Sequence, residues 1–303
     1  MSGAQSTAKI QHILCPTDLS QKSQKTLGFS ARLAETLGAR LTAVHCASAA
    51  WFSTEIRLSP NEAASIRESM TAPILEYTGR QESTLRWQAT VIENSFDAAT
   101  DIINLARETD VDLIIMKARP GMLSAFRFGS IVERVVSAVN CPVLLLPSRF
   151  LLDRERHFSE PPFRRILFDY DFSQATDSLF RTAMELTRGF EAELHLLSVL
   201  QPPRKASMEM SQSEIGLRIV QAVTHEKLGR VMVNWVDPES SVSTSVEWGD
   251  HAETVLRYAE DGQIDLICTT LSPPYFYFEK LYCAYLGQIL KSAKCPILVK
   301  QAV

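Results

Sequence analysis

The sequence predicts an α/β protein built of two tandem copies of one domain, each a doubly wound, five-stranded parallel sheet with helices on both faces. Three observations predict it. First, the chain of 303 residues is written twice: Ile13, Asp18, Ser20 and Ala39 are answered 153 residues later by Ile166, Asp171, Ser173 and Ala192. VDLIIMKA from Val111 is answered at the same offset by IDLICTT from Ile264, and NCPVLLLP from Asn140 by KCPILVKQ from Lys294 at an offset of 154. One insertion over so long a match indicates a duplicated domain rather than a short-period solenoid. Second, short apolar runs alternate with stretches of helical periodicity, the pattern of strand–helix–strand units and hence of a parallel sheet. Third, the last apolar run of each copy is hydrophobic on both faces although it would end its sheet. An exposed edge of that character invites pairing, so the two final strands are expected to pair or to bury against the other half, as an intramolecular pseudo-dimer.

Strands are predicted at 11–15, 40–47, 84–93, 112–117 and 142–147, and again at 164–169, 192–200, 241–248, 264–269 and 295–300. The segment 22–38 places Leu27, Ala31, Ala34 and Leu37 on one helical face, and 60–80, 97–109 and 129–139 continue the series. Ser20 and Asp97 have the side chains and positions of N-caps. The stretch 149–162 is charged and ends in Pro161-Pro162, which reads as a linker between a first domain at 1–148 and a second at 163–303. In sheets of this kind ligands bind beyond the C-terminal strand ends, where the strand order reverses.

Hydrophobic residues make up 46% and charged residues 22%, the balance of a soluble globular protein. The first 150 residues carry 15 Lys/Arg against 14 Asp/Glu and the remainder 16 against 21, so neither half has the basic excess of a nucleic-acid binder. The amino-terminal MSGAQSTAKIQHI is polar, and no apolar run reaches the roughly 20 residues of a membrane span. Cysteines at 15, 46, 141, 268, 283 and 295 form no CxxC pair and stand at no short spacing to histidine. They read as buried thiols of a reduced, cytoplasmic protein.

CPTDLS after the first strand, DLIIM midway and GSIVERVVSAVNCPVLLLP at the end of the first copy resemble the universal stress protein family, and the likeness extends over both halves. The resemblance implies a tandem member with a cytoplasmic stress-response role and dimer-like assembly, in a family that divides into ATP-binding and non-binding members. The family's nucleotide signature, G-x2-G-x9-G-[S/T], lets backbone N–H groups approach phosphates and ends on a helix N-terminus that attracts anions. Here Gly129-Ser130 match the closing pair, but the two earlier glycine positions hold Met116 and Arg119. The resemblance also places Asp18 and Cys46 where ATP-binding relatives contact adenosine. Lys117, Arg119 and Arg127 put three cations in the loop, with no acidic residue between Asp112 and Glu133. Guanidinium groups can replace missing backbone donors as phosphate ligands. A nucleotide, ATP, is therefore a candidate ligand of the first half, although a solvated basic loop explains the same residues.

The second copy has lost the signature. Cys283-Ala284 replace Gly-Ser, and Pro273-Pro274 lack amide donors. Asp169 and Asp171 would stand at a strand end and repel a triphosphate unless a metal intervened, and no further oxygen ligands for a metal can be placed. Tyr275, Phe276, Tyr277, Phe278, Tyr282 and Tyr285 fall within eleven residues. Tyr275, Tyr277 and Tyr282 could line an apolar ligand pocket, or the group could pack against the rest of the fold.

Three functions follow from the sequence. The leading one is a non-catalytic cytoplasmic stress-response protein acting through protein partners or a bound small ligand. The alternatives are an ATP-binding sensor using the first half, and an apolar-metabolite binder using the second. No GxSxG, HExxH, GxxxxGK[ST] or GxGxxG motif supports conventional catalysis. His45 precedes Cys46, but adjacent strand residues point to opposite faces and do not make a nucleophilic pair. Slow ATP hydrolysis and a further homodimer of whole chains stay open at this stage.

Overall fold

The computed structural model describes residues 9–48, 58–79, 83–118, 130–152, 162–201, 214–235, 241–271 and 279–301. The first half runs β1 (His12–Pro16), α1 (Gln21–Leu37), β2 (Arg40–Ser48), α2 (Pro60–Thr78), β3 (Arg86–Ser95), α3 (Ala98–Glu108), β4 (Leu113–Ala118), α4 (Ser130–Ala138) and β5 (Val143–Pro147). A short helix, α5 (Ser148–Leu152), follows. The second half runs β6 (Arg165–Asp169), α6 (Gln174–Gly189), β7 (Glu193–Leu200), α7 (Glu214–Trp235), β8 (Val242–Trp248), α8 (His251–Asp261), β9 (Leu266–Leu271), α9 (Glu279–Ser292) and β10 (Ile297–Gln301).

The helices start where a side-chain oxygen satisfies a backbone donor that the first turn leaves bare. Ser20 caps α1, Asp97 caps α3 and Asp250 caps α8. At α2 the Ser59 hydroxyl accepts from the Glu62 amide while the Glu62 carboxylate accepts from the Ser59 amide, a reciprocal capping box with Pro60 just inside it. Gly38 ends α1 at φ 65°, a left-handed position that glycine occupies without a Cβ penalty.

All ten strands join one sheet in the order β3-β2-β1-β4-β5-β10-β9-β6-β7-β8. Neighbours within each half run parallel, while β5 and β10 pair antiparallel at the centre, with Leu145 opposite Ile297, Leu144 opposite Leu298 and Val143 opposite Val299. All six side chains are buried. Apolar edges that would attract foreign strands are thus satisfied by each other.

Each face of the sheet carries one core drawn from both halves. One contains Leu27, Phe29, Leu33 and Leu41 together with Phe163, Phe168, Phe180 and Leu194. The other contains Ile102, Val135 and Leu145 together with Val255, Ile289 and Ile297. The predicted strands and helices are present, with ends displaced by a few residues.

The stretch read as a linker from 149 onward begins differently. Phe150 and Leu151 are buried, because helix α5 turns its apolar residues into the first of these cores. Phe150 meets Phe29 edge-on at 5.5 Å, Phe29 meets Phe163 at 6.2 Å and Phe163 meets Phe190 at 5.3 Å. Residues 153–161 of that stretch lie outside the described residues.

The copies also differ in their second helix. In the first half α2 packs against α1, whereas α7 lies mainly on β8. Its Ile215, Ile219 and Val223 are exposed.

Candidate functional site

In the first half the strand order departs in opposite directions from β1 and β4: β1 leads to β2 and β4 leads to β5. The C-terminal ends of β1 and β4 therefore flank the crevice where doubly wound sheets bind ligands. Asp18 follows β1 and Lys117 is the penultimate residue of β4, so the fold brings these two together from 99 residues apart.

The turn that presents Asp18 has Leu19 at φ 61°, a left-handed conformation that costs a non-glycine residue roughly 1–2 kcal/mol. Local hydrogen bonds hold it. The Leu19 amide donates to the Thr17 hydroxyl at 3.0 Å, and the Ser20 amide donates to Asp18 Oδ1 at 3.1 Å. The Ser23 hydroxyl donates to the same oxygen at 2.6 Å. Lys117 Nζ donates to Asp18 Oδ2 and, at 2.7 Å, to Ser20 Oγ. Burial opposes ionisation of Asp18, but Lys117, Ser20 and Ser23 outweigh it and hold the carboxyl well below its ordinary range. The Asp18 side chain keeps half its surface, 50%, while Lys117 keeps 14%. The arrangement is a fixed, half-exposed carboxylate with a mostly sheathed cation at the ends of β1 and β4.

Cys46, near the C-terminal end of β2, turns its thiol toward the Ala98 carbonyl at the start of α3, 4.0 Å away. Burial and the nearby Asp101 push that thiol up to about 11, against a hydrogen bond from Ser95. His45 is occupied elsewhere, with Nδ1 2.9 Å from the Thr17 carbonyl. Ser130 opens α4. Arg119, Arg127 and Gly129 lie outside the described residues, as do Tyr275 and Tyr277 and the side chains of Ser130 and Tyr282.

The second half repeats the turn. Phe172 takes φ 59° at the place of Leu19. Asp171 accepts from the Ser173 amide at 2.9 Å and from the Thr176 hydroxyl, as Asp18 does from Ser20 and Ser23. Thr270 Oγ1 donates to Asp171 Oδ2 at 3.1 Å, in the position that Lys117 holds in the first half.

Asp169 is where the halves part. It ends β6 with only 3% of its side chain exposed. His251 Nε2 lies 2.9 and 2.8 Å from its two oxygens. The Thr269 hydroxyl donates to it at 2.9 Å and the Tyr285 hydroxyl at 2.6 Å. The Tyr285 ring meets the His251 ring edge-on at 4.8 Å. A charge expected to face the crevice and repel phosphate is instead buried among three donors from α8, β9 and α9. Among the described residues, no group of three His, Cys, Asp or Glu side chains could hold a metal ion. His251 and Thr269 join this strand end without falling in any motif of the sequence.

The universal stress protein family model matches residues 9–147 and again 162–300. The chain belongs to the universal stress protein family. It is a tandem member, each match covering one half. A universal stress protein from Archaeoglobus fulgidus DSM 4304 shares the fold at a TM-score of 0.66 and 17% identity, over 97% of this chain and 97% of its own. A functionally unknown protein from Pseudomonas aeruginosa PAO1 matches at a TM-score of 0.61 and 15% identity, over 96% of this chain and 92% of its own. A universal stress protein from Archaeoglobus fulgidus, solved in complex with dAMP, covers 45% of this chain and 98% of its own at 20% identity and a TM-score of 0.35. No curated protein matches the chain in sequence. No helix among the described residues is long and apolar enough to cross a membrane.

Proposed function

We propose that this universal stress protein is a non-catalytic, cytoplasmic stress-response protein whose first half binds one nucleotide-class anion and whose second half does not. The carrying observation is the pairing of Lys117 with Asp18 at the ends of β1 and β4. A buried-stem ammonium supplies positive potential for phosphate where the family's first two signature glycines are missing. Asp18, with half its surface open, offers an acceptor to a ribose or base. Arg119, Arg127, Gly129 and Ser130 are assigned the phosphate end, with Lys117, and Cys46 the adenosine end of the same site.

In the second half the corresponding strand end carries Asp169 held by His251, Thr269 and Tyr285, a buried carboxylate that disfavours a phosphate there. Non-catalytic action is supported by the Cys46 thiol, which burial keeps protonated, and by His45, which is tied to a backbone carbonyl. The two halves, joined through β5 and β10, stand as an intramolecular counterpart of a dimer. Tyr275, Tyr277 and Tyr282 are assigned no metabolite in this reading.

Native mass spectrometry with added ATP, paired with calorimetric titration, tests the proposal. One nucleotide per chain is expected, weakened at least tenfold by Asp18→Ala and by Lys117→Ala and unchanged by Tyr285→Phe, with no phosphate released. Two nucleotides per chain, none, or binding indifferent to both substitutions would overturn it.

A further inference from the structure

The Asp169 cluster does more than disfavour a phosphate, because its members come from separate elements. Asp169 ends β6, His251 is the first residue of α8, Thr269 lies on β9 and Tyr285 lies in α9. His251, Thr269 and Tyr285 all touch this one carboxylate. It therefore pins the beginning of α8 and the body of α9 to the end of β6.

We propose that Asp169, His251 and Tyr285 form a proton-operated clasp on the second half, tight while His251 is imidazolium and loosened when His251 gives up its proton. The geometry supports this directly. A charge-assisted hydrogen bond to a buried carboxylate is roughly twice as strong as a neutral one. When the ring is neutral, Nε2–H still donates, but among the described residues the buried carboxylate is then held by neutral donors alone, a costlier arrangement than a charge-assisted pair.

The surroundings favour the charged ring. Asp171 after β6 and Asp250, the N-cap of α8, add negative charge near it, while Tyr285 faces it from α9. β7, which also packs against α8, brings His195 to Tyr258, further along the helix, at 3.4 Å. Burial works against the imidazolium, but Asp169, Asp171 and Asp250 outweigh it and the pKa of His251 is raised above its ordinary 6.5. A raised folded-state value means the stabilisation is fully present below 6.5 and is lost as pH climbs through the folded value. The ring keeps 28% of its surface, so protons can reach it.

The test is hydrogen exchange on the full chain, corrected for intrinsic exchange, between about pH 6 and about pH 9. Protection of the first turn of α8 and of α9 is expected to fall several-fold across that range, while β1 and β4 hold theirs. His251→Gln should flatten the dependence. Tyr285→Phe should lower protection throughout and keep the dependence. Imidazole NMR of the unsubstituted chain gives a reading that needs no variant: His251 should titrate above 6.5. Protection that does not change with pH, an unaltered slope in His251→Gln, or a His251 titration at or below the ordinary value would each overturn the clasp. These readouts involve no nucleotide, so they stand apart from the ligand assigned to the first half.

Discussion

Lys117 and Thr270 occupy the same place in the two copies, and each donates to the aspartate of its own turn, Lys117 to Asp18 and Thr270 to Asp171. One copy has an ion pair where the other has a neutral hydrogen bond, on an otherwise repeated frame of Ser20 with Ser23 and Ser173 with Thr176.

Converting the first arrangement into the second isolates the ammonium. In Lys117→Thr the Asp18 carboxyl should titrate closer to its ordinary 3.8. Because Asp18 is held low in the folded chain, its contribution is present above the ordinary value and is lost as pH falls through the folded one. The variant should therefore lose less stability than the parent as pH falls below that ordinary value, giving a flatter acid profile. At neutral pH the difference should stay within about 1 kcal/mol, since the carboxylate is half exposed. Urea unfolding at neutral and acid pH measures both, and identical acid profiles would remove Lys117 from the account of Asp18.

The seam between β5 and β10 makes a prediction about cooperativity. Leu144 and Leu298 face each other across it, both fully buried. Leu144→Ala should cost about 2–5 kcal/mol. Calorimetry should show one transition displaced as a whole, since each core spans both halves. A split trace in which only one step moves would mean the halves unfold independently.

Thiol chemistry should follow burial. Cys15 is fully buried and pushed up to about 12, against a hydrogen bond from Ser30, and burial also raises Cys268. Cys46 and Cys141 are partly exposed, with thiols raised to about 11. In the folded chain at about pH 8, alkylation mapped by peptide mass should reach Cys46 and Cys141 slowly and leave Cys15, Cys268 and Cys295 unmodified until denaturant is added. Early labelling of Cys15 would contradict the packing of β1.

The capping box of α2 gives a local test. Ser59→Ala removes the acceptor for the Glu62 amide and should cost about 1 kcal/mol. Thermal unfolding should register it, and the site at Asp18 should be unaffected. A loss near zero would mean that water replaces the hydroxyl at no cost.

Much of this was legible in the sequence because its causes are local or repeated. Alternating periods marked the ten strands, the offset between Asp18 and Asp171 marked two equivalent turns, and the double-faced apolar runs at 142–147 and 295–300 foretold the pairing of β5 with β10. Helix α5 was hidden because Arg149 and the charged residues after Leu152 give the stretch the composition of a linker, while only Phe150 and Leu151 carry the burial.

The Asp169 cluster was hidden for a different reason: its contacts span 82 to 116 residues, beyond any periodicity. A signal existed nonetheless. Where the first copy has Pro16, Ala98 and Met116, the second has Asp169, His251 and Thr269. Three positions apolar in one copy are polar together in the other, which is what a buried network requires.

The central antiparallel seam also settles how freely the halves can diverge. When two identical chains associate about a two-fold axis, any substitution appears twice, and a change that suits one subunit is forced on the other. Here the partner surfaces are covalently tied in one polypeptide with a fixed ratio of one to one. Asp169 and His251 stand in the second copy where the first has Pro16 and Ala98, and Lys117 stands in the first where the second has Thr270. Joining the strands of two copies in a single sheet thus leaves each copy free to change without the other.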